Sequence, residues 1–210
     1  MTSVVKLGGS LAEAGTIRSW LETLTGAGLT GAGIGRCIVV PGGGVFADAV
    51  RTAQPLFGFG DRAAHEMALL AMAQYGLLLA DLAPLLLPVE DEAGIASALA
   101  EGRIPVWLPR RMVMAAPEIA AAWEVTSDSL AAWLARKLNA RRLVLVKSVP
   151  APEPLPGLEE LARIGLVDAA FPAFAAQASF TLEFLGPGQK ARLASLIGLG
   201  PDRFNVVSEP

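Results

Sequence analysis

The first residues that could do chemistry are a lysine and the glycines that follow it. Lys6 lies in a short apolar run that passes directly into Gly8, Gly9 and Ser10. Consecutive glycines can expose successive backbone N–H groups, and such an array binds phosphate oxygens together with a lysine charge. A tight turn from a strand into a helix, with the lysine on the surface, explains the same residues equally well. This segment alone therefore leaves both interpretations open.

A second glycine-rich turn follows another apolar run and contains Gly42, Gly43 and Gly44. Glycines weaken regular structure by roughly 0.5–1 kcal/mol each, so their small size or backbone freedom must serve a purpose here. One purpose is close approach of a ligand to the main chain, with an anion at the N-terminus of the next helix. The alternative is a close approach between two structural elements. Neither glycine segment fits the Rossmann or P-loop pattern.

A third group of polar residues lies in the segment from Trp123 to Leu130, ahead of a predicted helix. Thr126 or Ser127 can cap that helix and Asp128 lies in its first turn, so capping explains them without any function. The functional interpretation is that Asp128 orients cationic groups around a phosphate. Lys147 ends the next apolar strand, and ligands of open α/β sheets bind at the carboxyl ends of strands.

His65 is the only histidine, and it lies with Asp61 and Glu66 at the start of a long apolar helix. A lone histidine is more often structural than catalytic. At the polar end of a buried helix, however, it suits contact with a substrate phosphate. One histidine among scattered carboxylates does not predict a metal site.

The composition excludes several classes of protein. The chain has 210 residues, is 53% hydrophobic and 18% charged, and carries a formal net charge of -3. Disorder requires low hydrophobicity and dense charge, and nucleic-acid binding requires a basic face, so we expect neither. The longest segments without charged residues, 67–80 and 169–182, are shorter than the roughly 18–20 apolar residues that span a bilayer. We therefore expect a cytoplasmic protein without a membrane span.

Short apolar runs alternate along the chain with longer segments rich in alanine and leucine. This alternation is typical of βαβ units, in which helices cover both faces of a mostly parallel sheet. The predicted strands are Ser3–Leu7, Arg36–Val40, Leu85–Val89, Pro105–Leu108, Arg142–Val146, Phe180–Leu185 and Phe204–Val207. The predicted helices are Ile17–Gly26, Val45–Gln54, Asp61–Leu82, Ala93–Glu101, Asp128–Asn139, Leu158–Arg163 and Gln189–Leu196. A proline-rich linker at 151–157 divides the single predicted domain into a larger part, 1–150, and a smaller part, 151–210.

Taken in order, these motifs resemble the amino-acid kinase superfamily. The matching segments are Val5–Ser10, Pro41–Gly44, Thr126–Ala131, Leu143–Val149 and the closing run from Phe184 to Val207. Within the superfamily, the segments 123–130 and 167–172 and the short chain are most similar to the [5-(aminomethyl)furan-3-yl]methyl phosphate kinases of methanofuran-type cofactor biosynthesis. The resemblance implies a three-layer α/β/α sandwich with a mostly parallel central sheet. It also implies an enzyme that transfers the γ-phosphoryl group of ATP in the presence of Mg²⁺.

The resemblance further implies a role for each matching residue. Lys6 would touch the transferred phosphoryl group and Asp128 would hold the lysines in place; we add Lys147 to this catalytic set as a hypothesis of our own. The nucleotide-binding residues would be Lys6, Gly8, Gly9, Ser10, Lys147, Ser148 and Asp168. The acceptor-binding residues would be Gly42, Gly43, Gly44, Asp61, His65, Thr126 and Ser127. Mg²⁺ would be held mainly through the nucleotide phosphates, with no metal site on the protein itself.

The sequence departs from the family pattern after the central strand. Many relatives have Thr-Asp-Val-Asp-Gly there, whereas this chain has Lys147 to Ala151 and lacks the longer nucleotide-covering segment that carries its own lysine. We therefore hypothesise that Lys147 supplies the second cation from a different place in the sequence. An acceptor that is itself a phosphate monoester needs no strong general base, and none is evident here.

Three interpretations of function remain open from the sequence. The first is a kinase that converts [5-(aminomethyl)furan-3-yl]methyl phosphate to its diphosphate, with an acidic side chain of the group Asp61, His65 and Glu66 facing the aminomethyl group. The second is a kinase for isopentenyl phosphate or a nucleoside monophosphate, and an apolar acceptor pocket would favour the isoprenoid. The third is a non-catalytic nucleotide-binding protein of the same fold. The apolar helix Asp61–Leu82 also predicts a homodimer contact.

Overall fold

The structure is a computed structural model that describes residues 2–26, 37–176 and 178–199. In this part of the chain, six strands form one parallel sheet in the order β3-β4-β2-β1-β5-β6. The strands are β1 (Ser3–Leu7), β2 (Cys37–Pro41), β3 (Leu86–Val89), β4 (Ile104–Trp107), β5 (Arg142–Val146) and β6 (Thr181–Leu185). The predicted parallel α/β fold is thereby confirmed.

Ten helices connect and cover the strands in the described ranges. They are α1 (Ser10–Glu13), α2 (Ile17–Thr25), α3 (Gly44–Phe57), α4 (Asp61–Leu82), α5 (Glu92–Ala100), α6 (Arg110–Met114), α7 (Ser127–Lys137), α8 (Leu158–Arg163), α9 (Phe171–Ala175) and α10 (Lys190–Leu196). The sequence did not predict α1, α6 and α9, which are too short to show helical periodicity. α3 also continues past its predicted end at Gln54 and stops at Gly58, whose left-handed backbone terminates a helix.

Each strand contributes to two hydrophobic cores, because successive side chains point to opposite faces of a sheet. On one face, Val4 and Leu143 pack in the core that includes α5, α7 and α9. On the other face, Val5 and Val144 pack in the core that includes α2, α4 and α10. The result is the predicted three-layer sandwich. Lys6 lies two residues after Val4 and therefore shares the face that α7 covers.

The described helix α4 is long and apolar enough, by length and composition alone, to cross a membrane. Its buried residues include Leu69, Tyr75 and Leu79, and the helix packs beside α3 and on the sheet. Gly76 permits a close approach to the sheet, since a Cβ there would lie only 2.8 Å from Cδ2 of Leu108. Packing within the fold therefore accounts for part of its apolar character, while Leu70 and Leu77 of the same helix are exposed.

The sheet joins both parts of the chain that flank the proline-rich segment. β6 lies beyond that segment, yet it pairs with β5 from Arg142 opposite Thr181 to Val146 opposite Leu185. The predicted seventh strand, Phe204–Val207, lies outside the described residues.

Candidate active site

Two lysines and one carboxylate meet at the carboxyl edge of the sheet. Nζ of Lys6 lies 2.9 Å from Oδ1 of Asp128, and Nζ of Lys147 lies 2.7 Å from Oδ2. Each carboxylate oxygen thus binds its own ammonium group. Lys6 and Asp128 are each only 5% exposed, so protein surrounds most of this lysine–aspartate cluster. The structure brings together the three residues that the sequence predicted as a catalytic set.

Three neighbouring elements position the lysine–aspartate cluster. β1 and β5 are adjacent and in register, with Lys6 opposite Leu145. Lys147 follows directly after β5, and its backbone N–H donates to the carbonyl oxygen of Leu185 at 2.8 Å. Asp128 lies in the first turn of α7, which packs on β1. The positions of Lys6 and Lys147 are therefore set by the apolar strands that carry or precede them.

The cluster carries more positive than negative charge. Burial raises the pKa of Asp128, but the charges of Lys6 and Lys147 and their hydrogen bonds outweigh it and hold the pKa below its ordinary value. Burial and then the charge of Lys6 lower the pKa of Lys147 to about 8, against the opposing effects of Asp128 and Asp168. At neutral pH the cluster therefore retains a positive charge for an anionic ligand.

The two glycine loops pack against each other, backbone to backbone. A Cβ on Gly9 would lie 2.3 Å from the amide nitrogen of Gly44, and a Cβ on Gly42 would lie 2.5 Å from the amide nitrogen of Gly9. The N–H of Gly42 also donates to the carbonyl oxygen of Leu7 at 2.8 Å. Close approach between two elements, one of the two explanations that the sequence left open, is therefore observed.

The first glycine loop also contacts the loop after β5. The hydroxyl oxygens of Ser10 and Ser148 are hydrogen-bonded at 3.0 Å, and the N–H of Gly8 donates to the carbonyl oxygen of Val146 at 3.3 Å. A Cβ on Gly8 would lie 3.6 Å from Nζ of Lys6, so this glycine keeps the space beside the ammonium group open. Most of the predicted nucleotide-binding residues thus surround the cluster.

A cavity of about 280 Å³ opens between the glycine loops and the first turns of α4 and α7. Six of the predicted acceptor-binding residues line it: Gly43, Gly44, Asp61, His65, Thr126 and Ser127. Gly42 lies next to this lining, where it packs on Gly9. Burial lowers the pKa of His65, so its imidazole is neutral at pH 7. We refer to this space as the acceptor cavity.

Sequence analysis missed a group of side chains that closes the outer wall of the acceptor cavity. Nε1 of Trp123 donates to Oε1 of Gln54 at 2.5 Å, and Nε2 of Gln54 donates to Oδ1 of Asp61 at 2.8 Å. The Arg51 guanidinium carbon lies 4.7 Å from the Trp123 ring centre, and Arg51 also pairs with Asp48 at 2.7 Å. The spacing of Asp48, Arg51 and Gln54 along one helix face was the available signal. Their contact with Trp123 depends on tertiary structure.

A second groove, of about 450 Å³, lies on the β6 side of the cluster. Its walls include Pro150 and Leu155 from the proline-rich segment, and Phe184 and Gln189 from β6 and the start of α10. Gly186 permits this arrangement, because a Cβ there would lie 2.8 Å from the Cα atom of Pro150. The smaller C-terminal part of the chain therefore forms much of this groove.

Asp168 lines neither the acceptor cavity nor the β6-side groove, and its carboxylate instead contacts α7. Oδ2 accepts hydrogen bonds from the backbone N–H groups of Thr126 and Ser129, both at 3.0 Å, and from the Thr126 hydroxyl at 2.7 Å. Oδ1 accepts a hydrogen bond from the Ser129 hydroxyl. Thr126 is the N-cap residue of α7, but its side chain makes no capping hydrogen bond. The structure thus brings Asp168 to the helix that carries Asp128.

Metal binding by the protein itself has little support in the described ranges. There, no group of three or more histidine, cysteine or acidic side chains could hold a metal ion. Asp128 already binds one ammonium group through each oxygen. A Mg²⁺ ion at this site would therefore need most of its oxygen ligands from another source, such as phosphate groups.

One family model and one curated relative match the sequence of this chain. A sequence profile of the amino acid kinase family matches residues 1–151. A curated relative from Methanocaldococcus jannaschii, [5-(aminomethyl)furan-3-yl]methyl phosphate kinase, is 22% identical over 114 residues, which is 54% of this chain. The matched region spans only 52% of the length of that relative.

Solved structures share the fold over almost the whole chain. Uridylate kinase from Archaeoglobus fulgidus has a TM-score of 0.67 and 18% identity, with 94% of this chain and 95% of that chain covered. UMP kinase from Ureaplasma parvum has a TM-score of 0.65 and 15% identity, with 96% of each chain covered. At these identities the likeness concerns the fold alone.

The packing of the glycine loops predicts that Gly9→Ala destabilises the protein. The added methyl group would overlap the backbone of Gly44, and overpacking of this kind costs about 1–3 kcal/mol in free energy of unfolding. Gly60→Ala is the control, because a Cβ at Gly60 meets no atom within 4 Å. Denaturant unfolding measures both changes. A Gly9→Ala variant as stable as the Gly60→Ala control would contradict the observed contact between the loops.

Proposed function

Because the chain belongs to the amino acid kinase family, we propose that it is an ATP-dependent kinase whose small acceptor already carries a phosphate group. The observation that carries this proposal is the pair of lysines bound to the two oxygens of buried Asp128, beside two glycine loops. Phosphoryl transfer requires positioning and positive charge, with little covalent chemistry from the protein. The dependence of the proposed kinase on ATP is consistent with the cytoplasmic location that the sequence predicts.

The nucleotide would lie across the first glycine loop and the β6-side groove. Lys6 and Lys147 would contact the transferred phosphoryl group, while Gly8, Gly9, Ser10 and Ser148 would surround the neighbouring phosphates. The β6-side groove would take the nucleoside, which makes residues 151–210 the nucleotide side of the domain. Mg²⁺ that enters with ATP would neutralise further phosphate charge when bound.

The acceptor phosphate would lie against Gly42, Gly43 and Gly44, at the N-terminus of α3, where backbone N–H groups favour an anion. One of its oxygens would attack the γ-phosphorus, and the bond from that phosphorus to the bridging oxygen of ADP would break. A phosphate monoester carries most of its second negative charge at pH 7, because its second pKa is about 6. The nucleophile therefore needs no general base, and the site requires none.

The outer half of the acceptor cavity favours an amine on the acceptor. Asp48 and Asp61 contribute two negative charges, Arg51 contributes one positive charge, and the imidazole of His65 is neutral at pH 7. This surplus of negative charge would attract an aminomethyl group, while His65, Thr126 and Ser127 would contact polar atoms of the acceptor. We therefore propose [5-(aminomethyl)furan-3-yl]methyl phosphate as the acceptor, in keeping with the name of the M. jannaschii relative.

The cavity argues against the other acceptors to different degrees. An isoprenoid tail would remove water from the charged groups of Asp48, Arg51 and Asp61 without offering them a polar contact in return, which costs free energy. The volume of about 280 Å³ lies near the lower end of ligand-binding cavities, roughly 300–1,000 Å³, and so favours an acceptor smaller than a nucleotide. A nucleoside monophosphate is the second candidate, because the UMP kinases share this fold.

Lys147→Met should lower kcat. Loss of one positioned charge at the transferred phosphoryl group typically costs on the order of 10²–10³-fold in rate. In the wild-type enzyme, kcat/KM for ATP should fall as the pH rises through about 8, because Lys147 of the free enzyme loses its positive charge there. Steady-state kinetics across pH measure both effects. Lys137→Met is the matched control, since Lys137 is 40% exposed and pairs with Glu92. Undiminished phosphoryl transfer in Lys147→Met would rule out the role of Lys147 as the second cation.

Asp61→Asn should raise the KM for the amine-bearing acceptor and leave the KM for ATP unchanged. A charged hydrogen bond contributes about 1.5–3 kcal/mol, which corresponds to an increase on the order of 10- to 100-fold. Asp81→Asn, at an exposed position of the same helix, is the control. The assay supplies ATP, Mg²⁺ and each phosphorylated acceptor in turn, with ³¹P NMR to detect the diphosphate. Tight ATP binding without turnover of any acceptor would favour the non-catalytic alternative.

The apolar exterior of α3 and α4 should form a homodimer contact. Leu56 and Phe57 are 75% and 76% exposed, and Leu70 and Leu77 are 45% and 53% exposed. Burying such side chains between two copies would remove apolar surface from water. We expect twice the chain mass in sedimentation equilibrium at micromolar concentration, and dissociation in the Phe57→Glu variant. A strictly monomeric wild-type protein would contradict this interface.

A further inference from the structure

We infer that Asp168 is a positioning residue for phosphoryl transfer, because its carboxylate fixes the helix turn that holds Asp128 between the two lysines. The kinetic part of this inference rests on the proposed function, whereas its structural part can be tested without turnover. Asp168 lies in the loop between α8 and α9, beyond the segment that matches the family profile.

The Asp168 carboxylate supplies a cap that α7 does not provide for itself. The first N–H groups of a helix have no partner within the helix, and the N-cap side chain usually accepts a hydrogen bond from one of them. The N-cap residue here is Thr126, but its hydroxyl donates to Asp168 instead. Asp168 accepts from the N–H of Ser129 at 3.0 Å. The negative charge of Asp168 also interacts favourably with the positive end of the helix dipole, which lies at the N-terminus of α7.

The two residues that Asp168 binds lie on either side of Asp128. Thr126 and Ser129 are each bound through both the backbone N–H and the hydroxyl group. The turn between them therefore cannot rotate without breaking some of these bonds. Asp128 depends on that orientation, because its two oxygens contact different ammonium groups at 2.9 and 2.7 Å. Misplacement of a catalytic group by about 1 Å can cost on the order of 10²-fold in rate.

Asp168 also acts on Lys147 through its charge. Three elements bring charged groups to Lys147: Lys6 on β1, Asp128 on α7 and Asp168 in the α8–α9 loop. Burial and the charge of Lys6 lower the pKa of Lys147, whereas the two carboxylates oppose that decrease. Removing the negative charge of Asp168 should therefore lower the pKa of Lys147 further. A residue that only stabilised α7 would not produce this change.

Two substitutions separate the charge from the hydrogen bonds. Asp168→Asn keeps an oxygen that can accept from the helix N–H groups and removes the charge. We expect the alkaline decline of kcat/KM for ATP to begin at lower pH in this variant, with little change in the KM for either substrate at pH 7. Asp168→Ala removes the cap as well, and we expect kcat to fall on the order of 10²-fold. Should Asp168→Ala not fold, Asp168→Asn is the deciding variant.

Asp91→Ala is the matched control, because Asp91 caps a helix that carries no residue of the site. Its Oδ1 accepts a hydrogen bond from the N–H of Gly94 at 2.8 Å, at the start of α5. We expect this variant to lose stability by unfolding measurements while keeping the kcat and the pH dependence of the wild type. Wild-type kcat and pH dependence in both Asp168 variants would overturn the inference.

A direct measurement of Lys147 distinguishes failure of this inference from failure of the proposed function. NMR of ¹³Cε-labelled lysine, assigned with Lys147→Met, gives the pKa of Lys147 in the wild type and in Asp168→Asn. A lower pKa in the variant supports the positioning role even if no acceptor is phosphorylated, in which case only the proposed function fails. An unchanged pKa overturns the inference whether or not the wild-type protein turns over.

Discussion

The site depends on one buried carboxylate that binds two ammonium groups. Removing Asp128 from water costs free energy that a single ion pair would not reliably repay, but Lys6 and Lys147 place one ammonium group against each of its oxygens, at 2.9 and 2.7 Å. The same contacts keep two like charges close together, which neither lysine could tolerate without the aspartate. Strands β1 and β5, helix α7 and both glycine loops all meet around this group of charges.

The sequence was sufficient to predict the parts of this arrangement that depend on strand patterns. Hydrophobic runs indicate buried parallel strands, and residues that end such strands lie at one edge of the sheet. Lys6 and Lys147 could be assigned to that edge for this reason. Asp128 followed from its place at the start of a helix and from the family resemblance. The sequence located the glycine loops but could not decide between the two explanations for them, because only the structure shows the backbone contact between Gly9 and Gly44.

Features that depend on contacts between distant segments could not be predicted. The hydrogen bond from Trp123 to Gln54 joins residues 69 positions apart, and no local pattern marks either partner. Asp168 was assigned to the nucleotide because it lies in a matching motif, whereas its observed contacts are with α7. The short helices α1, α6 and α9 were not predicted, because a helix of about one turn is too short to show a periodic pattern of apolar residues.

The lysines at the site are attached to the most rigid part of the molecule. β1 and β5 are adjacent, hydrogen-bonded strands in the interior of the sheet, and the distance between such strands is fixed at about 4.7–4.9 Å. The Cα atoms of the two lysines therefore cannot move apart or closer together without breaking the backbone hydrogen bonds between β1 and β5. Any closure around bound substrates must come from the loops and helices above the sheet. In the proposed reaction, the substrates would therefore be carried to a stationary pair of charges.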